Sequence, residues 1–428
     1  MINLWTALRL AWFANKIRSL FSKGHKAEIH DRSVEFSRGK FTYSERRLSI
    51  PMDAGQTAFI DGALEQIRTL PKVKAALEEV GEPELRKEQV SDKKSVDLIR
   101  DRGRQLPPSQ SLLVAISVLL GHGDARFAAD DFKAAEQAYR EAFGLAERTS
   151  DKFLKAACLN SLGTAFAGQG KYEEALKLFD QALGHKPDLA VPWYNKGASL
   201  VMLTRYKEAV PCFGQALRYK LDNVWLWYNR GVALGNLDRP KEALNCFDRA
   251  LLKMPDLAEA WLGKGVALGR LRGHERSLPC FDEALRRKPH YDLAWLDKGA
   301  ALVMLERYEE SVSCFDEVLR YSPSSAEAWL GKGLSLVMLT KYDDALACLD
   351  KALQISPNSV DAWLVKGVAL GNLNRHEEAL SCFDQALKYK PDYADVWCNK
   401  SVALRMLGRD KESRAAYKHA CKLGYSKP

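Results

Sequence analysis

The six residues AWLGKG occur at Ala260–Gly265 and again, letter for letter, at Ala328–Gly333. A near copy, AWLDKG, lies midway between them at Ala294–Gly299. The interval is therefore 34 residues, and none of the residues in the phrase forms a catalytic motif. Copies at a fixed interval of this length indicate a chain built from stacked structural repeats.

Four residue types keep this interval over a long part of the chain. Tryptophan recurs at Trp193, Trp227, Trp261, Trp295, Trp329, Trp363 and Trp397. Glycine follows four residues later at Gly197, Gly231, Gly265, Gly299, Gly333 and Gly367. Phenylalanine recurs at Phe179, Phe213, Phe247, Phe281, Phe315 and Phe383, and proline at Pro187, Pro255, Pro289, Pro323, Pro357 and Pro391.

Each repeat is predicted to form two helices joined by a short turn, because apolar residues recur at helical spacing and proline stops the second helix. The periodic glycine lies inside the first helix, where it costs about 1 kcal/mol relative to alanine. We therefore expect the second helix to approach the first closely at that point. Neither helix can bury its apolar side alone, so neighbouring repeats must stack.

This order of Trp, Gly, a turn aromatic, Ala, Phe, Ala and Pro resembles the tetratricopeptide repeat (TPR) family. The resemblance implies an all-α fold, a right-handed superhelical array of about nine helix-turn-helix repeats, with a small N-terminal region outside it. It covers residues 116–427, with repeats starting near residues 116, 156, 190, 224, 258, 292, 326, 360 and 394. We interpret residues 1–25 as a basic apolar helix and residues 26–115 as a mixed region and linker. Arg414 and Lys418 replace the apolar residue and the aspartate of earlier repeats, which predicts a polar C-terminal cap.

Charge and cysteine content favour a cytoplasmic protein. The net charge is +9, but residues 1–50 alone hold ten Lys and Arg against four Asp and Glu. Positive and negative charges are nearly balanced in the rest of the chain, so we do not expect a general nucleic-acid surface. Nine cysteines suit no secreted disulfide framework, and we find no signal peptide and no membrane-spanning stretch. Peripheral contact of the protein with a membrane surface is an alternative.

Two other periodic residues have structural interpretations. Lysine or arginine precedes the glycine position from Lys196 to Lys400, and we expect its stem to cover apolar surface while its charge reaches solvent. Ion pairs with periodic aspartates such as Asp282 and Asp316 are the alternative. Equivalent cysteines in stacked repeats lie about 8–10 Å apart, too far for a disulfide or a shared zinc ion, so we expect small buried hydrophobic residues. They are Cys212, Cys246, Cys280, Cys314, Cys348 and Cys382.

The chain contains no recognised catalytic, cofactor-binding or metal-binding motif, so we predict no enzyme activity, no cofactor and no metal. We predict a protein–protein interaction scaffold, an adaptor or assembly protein, that binds a partner's peptide or amphipathic helix in the concave groove of the array. One alternative is an enzyme or enzyme subunit with an unrecognised activity in residues 1–115. Another is an RNA-reading helical array, which needs polar base-reading side chains where this chain is mainly apolar.

By the same resemblance, the first helix of each repeat lines the groove. The residues predicted to line it are Tyr194, Asn195, Met202, Tyr228, Asn229, Asn236, Leu296, Met304, Leu330, Met338, Leu364 and Asn372. Asn195 and Asn229 are expected to hydrogen-bond an extended peptide backbone. An exposed surface of aliphatic and methionine side chains usually marks a docking site, although Val and Leu here could instead complete the packing between repeats.

The first 26 residues, MINLWTALRLAWFANKIRSLFSKGHK, combine many apolar residues with five Lys and Arg and no acidic residue. Three interpretations are open: a helix lying on a membrane surface, an organelle-targeting segment, or a helix docked against a partner or the array. The contact residues in a membrane or docking role would be Trp5, Leu8, Trp12 and Phe13.

Overall fold

The computed structural model describes residues 108–424, and every regular element in that range is an α-helix. The described chain forms two compact units, residues 108–255 and residues 256–424. The first unit contains α1 (Pro108–Ala128), α2 (Phe132–Glu147), α3 (Lys152–Gly168), α4 (Tyr172–His185), α5 (Ala190–Met202), α6 (Tyr206–Arg218), α7 (Val224–Asn236) and α8 (Pro240–Lys253). The second contains α9 (Ala258–Arg270), α10 (His274–Arg287), α11 (Asp292–Met304), α12 (Tyr308–Tyr321), α13 (Ala326–Met338), α14 (Tyr342–Ile355), α15 (Val360–Asn372), α16 (His376–Tyr389), α17 (Ala394–Met406) and α18 (Asp410–Lys422).

The helices pack in consecutive pairs. Each odd-numbered helix, the first helix of its pair, packs against the even-numbered second helix that follows it. Within each unit, the second helix also contacts the next first helix, and neighbouring first helices contact each other. The predicted all-α array of about nine helix pairs is therefore confirmed, with nine pairs in residues 108–424. The first of these helices begins at Pro108, whereas the repeat pattern is recognisable only from about residue 116.

The periodic glycine lets the two helices of a pair make contact. A Cβ atom added to Gly197 in α5 would lie 2.8 Å from Cε1 of Phe213 in α6. The same atom on Gly367 in α15 would lie 2.4 Å from Cε1 of Phe383 in α16. Both phenylalanine rings are buried. The expected close approach of the second helix is confirmed, and the aromatic ring of the second helix occupies the space above the glycine.

The periodic tryptophan and proline are joined by a hydrogen bond. Nε1 of Trp295 donates to the carbonyl oxygen of Pro289 at 3.0 Å. The same bond joins Trp193 to Pro187, Trp329 to Pro323, Trp363 to Pro357 and Trp397 to Pro391. In the repeat without proline, Trp227 donates instead to the Asp222 carboxylate at 2.6 Å. The bond ties each of these first helices to the loop that follows the preceding second helix.

The turn within a pair contains a residue with left-handed backbone geometry. It lies two positions after the end of the first helix, as at Thr340, where φ is 60°. The N–H of Lys341 then donates to the carbonyl of Leu336 at 2.9 Å, the pattern of a Schellman helix ending. Glycine adopts this geometry most easily, but it stands there only at Gly170 and Gly408 among the described turns.

Candidate functional site: the first-helix face

Four positions of the repeat lie on one side of each first helix. One is two residues before the periodic tryptophan, and the other three are one, five and nine residues after it. These positions are three or four residues apart, so they lie along one side of a helix. Because neighbouring first helices of a unit touch, the positions on successive helices form a continuous surface. We call this surface the first-helix face of the unit.

The second unit presents partly exposed apolar side chains on this face. Leu296 and Met304 of α11, Leu330 and Met338 of α13, and Val368 of α15 are partly buried and pack on the largely aliphatic core of the unit. Each therefore leaves part of its surface open to solvent while its position is set by the core below. Four of these five residues are among those that the sequence predicts to line the groove.

Four other predicted groove residues are buried. Tyr194, Asn195 and Asn229 in the first unit are 2–3% exposed, and Leu364 in the second is 0% exposed. Nδ2 of Asn195 donates to Oδ1 of Asn160 in α3 at 2.9 Å, and Nδ2 of Asn229 donates to the Tyr194 hydroxyl in α5 at 3.2 Å. The expectation that these two asparagines bond a bound backbone is wrong. Neighbouring first helices approach so closely that the amides bond between helices instead.

The remaining predicted residues, Met202, Tyr228, Asn236 and Asn372, are partly exposed. Nδ2 of Asn236 donates to the carbonyl of Val232 at 2.9 Å, and Nδ2 of Asn372 donates to that of Val368 at 2.8 Å. Both bonds span four residues within one helix. One amide hydrogen of each asparagine is thus used by its own helix.

The repeat register does not predict an aromatic pair on α7. The rings of Trp225 and Tyr228 meet edge to face, with centroids 6.2 Å apart and planes at 89°, and both residues are partly exposed. Trp225 lies outside the 34-residue tryptophan series. Its spacing of three residues from Tyr228 is the signal that could have identified the pair.

The first-helix faces of the two units differ in charge. Two positions before the periodic tryptophan, the second unit has Glu259, Leu293, Glu327, Asp361 and Asp395, all partly exposed. At the equivalent positions the first unit has Ala157, Val191 and Trp225. The first turns of α3, α5 and α7 contain no acidic residue, so the helix pair does not require one. We call Glu259, Glu327, Asp361 and Asp395 the acidic margin.

Lysine–aspartate ion pairs join successive helix pairs on another surface. Nζ of Lys298 lies 2.6 Å from Oδ1 of Asp282, and Nζ of Lys332 lies 2.6 Å from Oδ1 of Asp316. The same pair recurs at Lys196–Asp180, Lys366–Asp350 and Lys400–Asp384. The alternative, ion pairs with the periodic aspartates, is therefore found at these positions. About half of each aspartate side chain is exposed, so each pair contributes only about 0–1 kcal/mol.

The six periodic cysteines are buried, as their spacing predicts. Burial raises the pKa of Cys212, Cys246, Cys314 and Cys382 to about 11. These thiols are therefore protonated and weakly nucleophilic at neutral pH. Within residues 108–424, no three His, Cys, Asp or Glu side chains gather in an arrangement that could hold a metal ion.

A recess of about 340 Å³ lies among α16, α17 and α18. Its lysine and arginine bond neighbouring carboxylates: Lys400 contacts Asp384 at 2.5 Å, and Arg409 contacts Glu412 at 2.6 Å. Arg307 and Glu310 form the same contact in an earlier pair. The recess thus repeats an arrangement found elsewhere in the array and carries no distinct chemistry.

The predictions for the N-terminal segment concern a part of the chain that the structure does not describe. Trp5, Leu8, Trp12 and Phe13 all lie outside residues 108–424. Among the helices that are described, none combines the length and the apolar character needed to span a bilayer.

Comparison with known proteins gives a consistent family. Models described as tetratricopeptide repeat match residues 114–188, 224–257, 267–313, 296–360, 336–400 and 394–423. No curated protein matches the chain.

Three solved structures are among those similar to the chain. The crystal structure of YrrB, described as a TPR protein with an unusual peptide-binding site, is 26% identical, with a TM-score of 0.40, and the match covers 44% of this chain and 95% of YrrB. A tetratricopeptide repeat protein from Parabacteroides merdae is 20% identical, with a TM-score of 0.47, over 60% of this chain and 98% of that one. TTC0263, a TPR protein from Thermus thermophilus, is 25% identical, with a TM-score of 0.37, over 42% and 97%. With repeat models matching from residue 114 to residue 423, the chain belongs to the tetratricopeptide repeat family.

Proposed function

We propose that this chain is a non-enzymatic scaffold that holds an apolar peptide or an amphipathic helix of a protein partner on the first-helix face of residues 256–424. Arrays of this family are generally interaction scaffolds, because stacked repeats create an extended binding surface. The role we propose for such a surface is that of an adaptor or of a protein that assembles complexes. The partner's apolar side chains would replace water over the exposed part of the face.

The observation that carries the proposal is the row of partly exposed Leu and Met side chains on adjacent helices. Leu296 and Leu330 lie at one position of the repeat, and Met304 and Met338 lie at another, eight residues further along each helix. A row of this kind suits an amphipathic helix or an extended segment with regularly spaced apolar residues. Methionine is flexible and polarizable, so it adapts to partners of irregular shape.

We also propose that the scaffold works in the cytoplasm. All nine cysteines are free thiols, and eight of them are buried. Free thiols in this number are typical of a reducing compartment.

The test is a double substitution on the face. A partner is first isolated by affinity capture with chemical crosslinking, and its affinity for the full chain is then measured by calorimetry. Met304→Glu with Met338→Glu should weaken binding at least about 30-fold, equivalent to about 2 kcal/mol, because two charges replace apolar contacts. The helical content and melting temperature should stay near wild type, since both side chains are partly exposed.

The control is Glu309→Lys, an exposed position in the first turn of the second helix α12. It should change the affinity by less than about twofold, because a single exposed charge away from the contact contributes little. Normal binding by a folded double variant would place the partner on another surface and overturn the proposal.

A further inference from the structure

The first-helix face of the second unit combines an apolar centre with negative charge along one side. Glu327 precedes the partly exposed Leu330 by three residues, about one helical turn, and Asp361 precedes the partly exposed Val368 by seven residues, about two turns along the same side of α15. Asp395 continues the margin on α17, and Glu259 continues it on α9, where Nζ of Lys288 lies 3.9 Å from Oε1 of Glu259. A ligand that fits both features has apolar side chains flanked by positive charge.

The chain itself contains a segment of this composition. Residues 1–26 include Leu, Ile, Trp and Phe together with Arg9, Lys16, Arg18, Lys23 and Lys26, and the first acidic residue is Glu28. Opposite charges guide association and favour one partner over others. The same carboxylates would repel an anionic lipid surface or a nucleic acid.

We propose that residues 1–26 occupy the first-helix face of residues 256–424 in the free protein and compete there with the partner. This inference rests on the proposed function of the face and adds its occupant in the absence of the partner. Residues 27–107 lie between the segment and α1, and a chain of that length spans up to about 3.3 Å per residue when extended. Residues 27–107 therefore set only an upper limit on the distance between the segment and α1.

Photocrosslinking in the full chain tests the contact directly. Trp12 is replaced by p-benzoylphenylalanine, the dilute protein is irradiated, and the crosslinked peptides of the monomer are identified by mass spectrometry. We expect crosslinks to the segments that carry Leu296 and Met304 or Leu330 and Met338. The benzophenone reacts with accessible C–H bonds, and Ile355, which is 43% exposed at the end of the second helix α14, is an internal control that should stay unlabelled.

Charge reversal tests the acidic margin. Glu327→Lys with Asp361→Lys should reduce the yield of these intramolecular crosslinks at least about fivefold, because attraction becomes repulsion on the side where the segment's basic residues lie. The matched control, Asp343→Lys with Asp344→Lys, changes the same charge on two exposed residues in the first turn of α14. It should leave the yield within about twofold of the parent protein.

Three outcomes would overturn the inference. Preferential labelling of Ile355 or of other residues on second helices would show that the segment does not select the first-helix face. Crosslinked dimers would assign the occupant to a second copy of the chain. Crosslinks to lipid in vesicles of phosphatidylserine and phosphatidylcholine, with none to the array, would assign the segment to a membrane surface.

The experiment uses no partner, so its result is separable from the test of the proposed function. If the segment fails to crosslink while Met304→Glu with Met338→Glu still weakens partner binding, only the internal ligand is wrong. If the segment crosslinks as expected while the double variant binds the partner normally, the face is occupied by the segment but is not the partner's site.

Discussion

Gly367 and Gly214 both lie inside helices, but their surroundings differ. A Cβ atom on Gly367 would meet the buried ring of Phe383 at 2.4 Å, whereas one on Gly214 would meet no atom within 4 Å. Gly367→Ala should therefore lower the free energy of unfolding by about 1–2 kcal/mol. The overpacking cost of up to about 3 kcal/mol exceeds the gain in helix propensity of about 1 kcal/mol.

Gly214→Ala is the matched control for that substitution. It keeps the propensity gain without the clash, so it should raise the free energy of unfolding by about 0.5–1 kcal/mol. Urea denaturation followed by circular dichroism measures both changes. A stabilised Gly367→Ala variant would mean that the Phe383 ring can move aside and that the glycine is not required for packing.

Burial of individual side chains is where prediction from the sequence is weakest. The repeat register identifies the side of the helix on which Asn195 and Leu364 lie, but their exposure depends on how closely the next helix approaches. Asn195 is covered because its amide bonds to Asn160 on the neighbouring first helix. Leu330, at the same repeat position as Leu364, stays partly exposed. The difference in exposure between Leu330 and Leu364 depends on the neighbouring helices, so the sequence of a single repeat does not predict it.

The turns within helix pairs that have a residue other than glycine at the left-handed position carry a conformational cost. Thr340 has φ of 60°, a left-handed geometry that is unfavourable for a β-branched residue by about 1–2 kcal/mol. Thr340→Gly removes that cost, but it also increases the conformational entropy of the unfolded chain. This second effect lowers the free energy of unfolding by about 0.4–1 kcal/mol. We expect a net rise of about 0.5–1 kcal/mol in the free energy of unfolding, measured by urea denaturation.

The reverse substitution checks the same explanation. Gly408 has φ of 74° in the equivalent turn, and a Cβ atom there would meet nothing within 4 Å. Gly408→Thr should therefore lower the free energy of unfolding by a similar amount, through backbone strain alone. If both variants matched the parent protein, the left-handed geometry would not limit the stability of these turns.

Helix pairs are predicted well because each periodic residue acts locally. Proline ends a second helix and its carbonyl accepts the bond from Trp295 or its equivalents, while glycine admits the phenylalanine ring. The sequence predicts the ion pairs between Lys298 and Asp282 and between Lys332 and Asp316 less well. Exposed pairs are weak, and their formation depends on the distance between successive pairs of helices, which periodicity does not give.

The last described helix pair differs from the others on its outer side. Leu346 and Leu380 occupy one position of the second helix and are buried, at 9% and 5% exposure, within the second unit. The equivalent residue of α18 is Arg414, which is exposed, and Lys418 is exposed where earlier repeats have an aspartate. A repeat with a polar outer face does not offer the apolar surface on which another repeat would stack.

Restoring the internal pattern at this end should make the protein associate with itself. Arg414→Leu with Lys418→Asp creates both the apolar contact and the aspartate that internal repeats use to hold the following first helix. We expect the association constant to rise at least about tenfold, as the sedimentation coefficient measured over a range of concentrations would show. Arg414→Glu with Lys418→Glu reverses the charge but keeps the face polar, so it should sediment like the parent protein. If the restored variant also sediments like the parent protein, then the polarity of α18 is not what prevents further stacking.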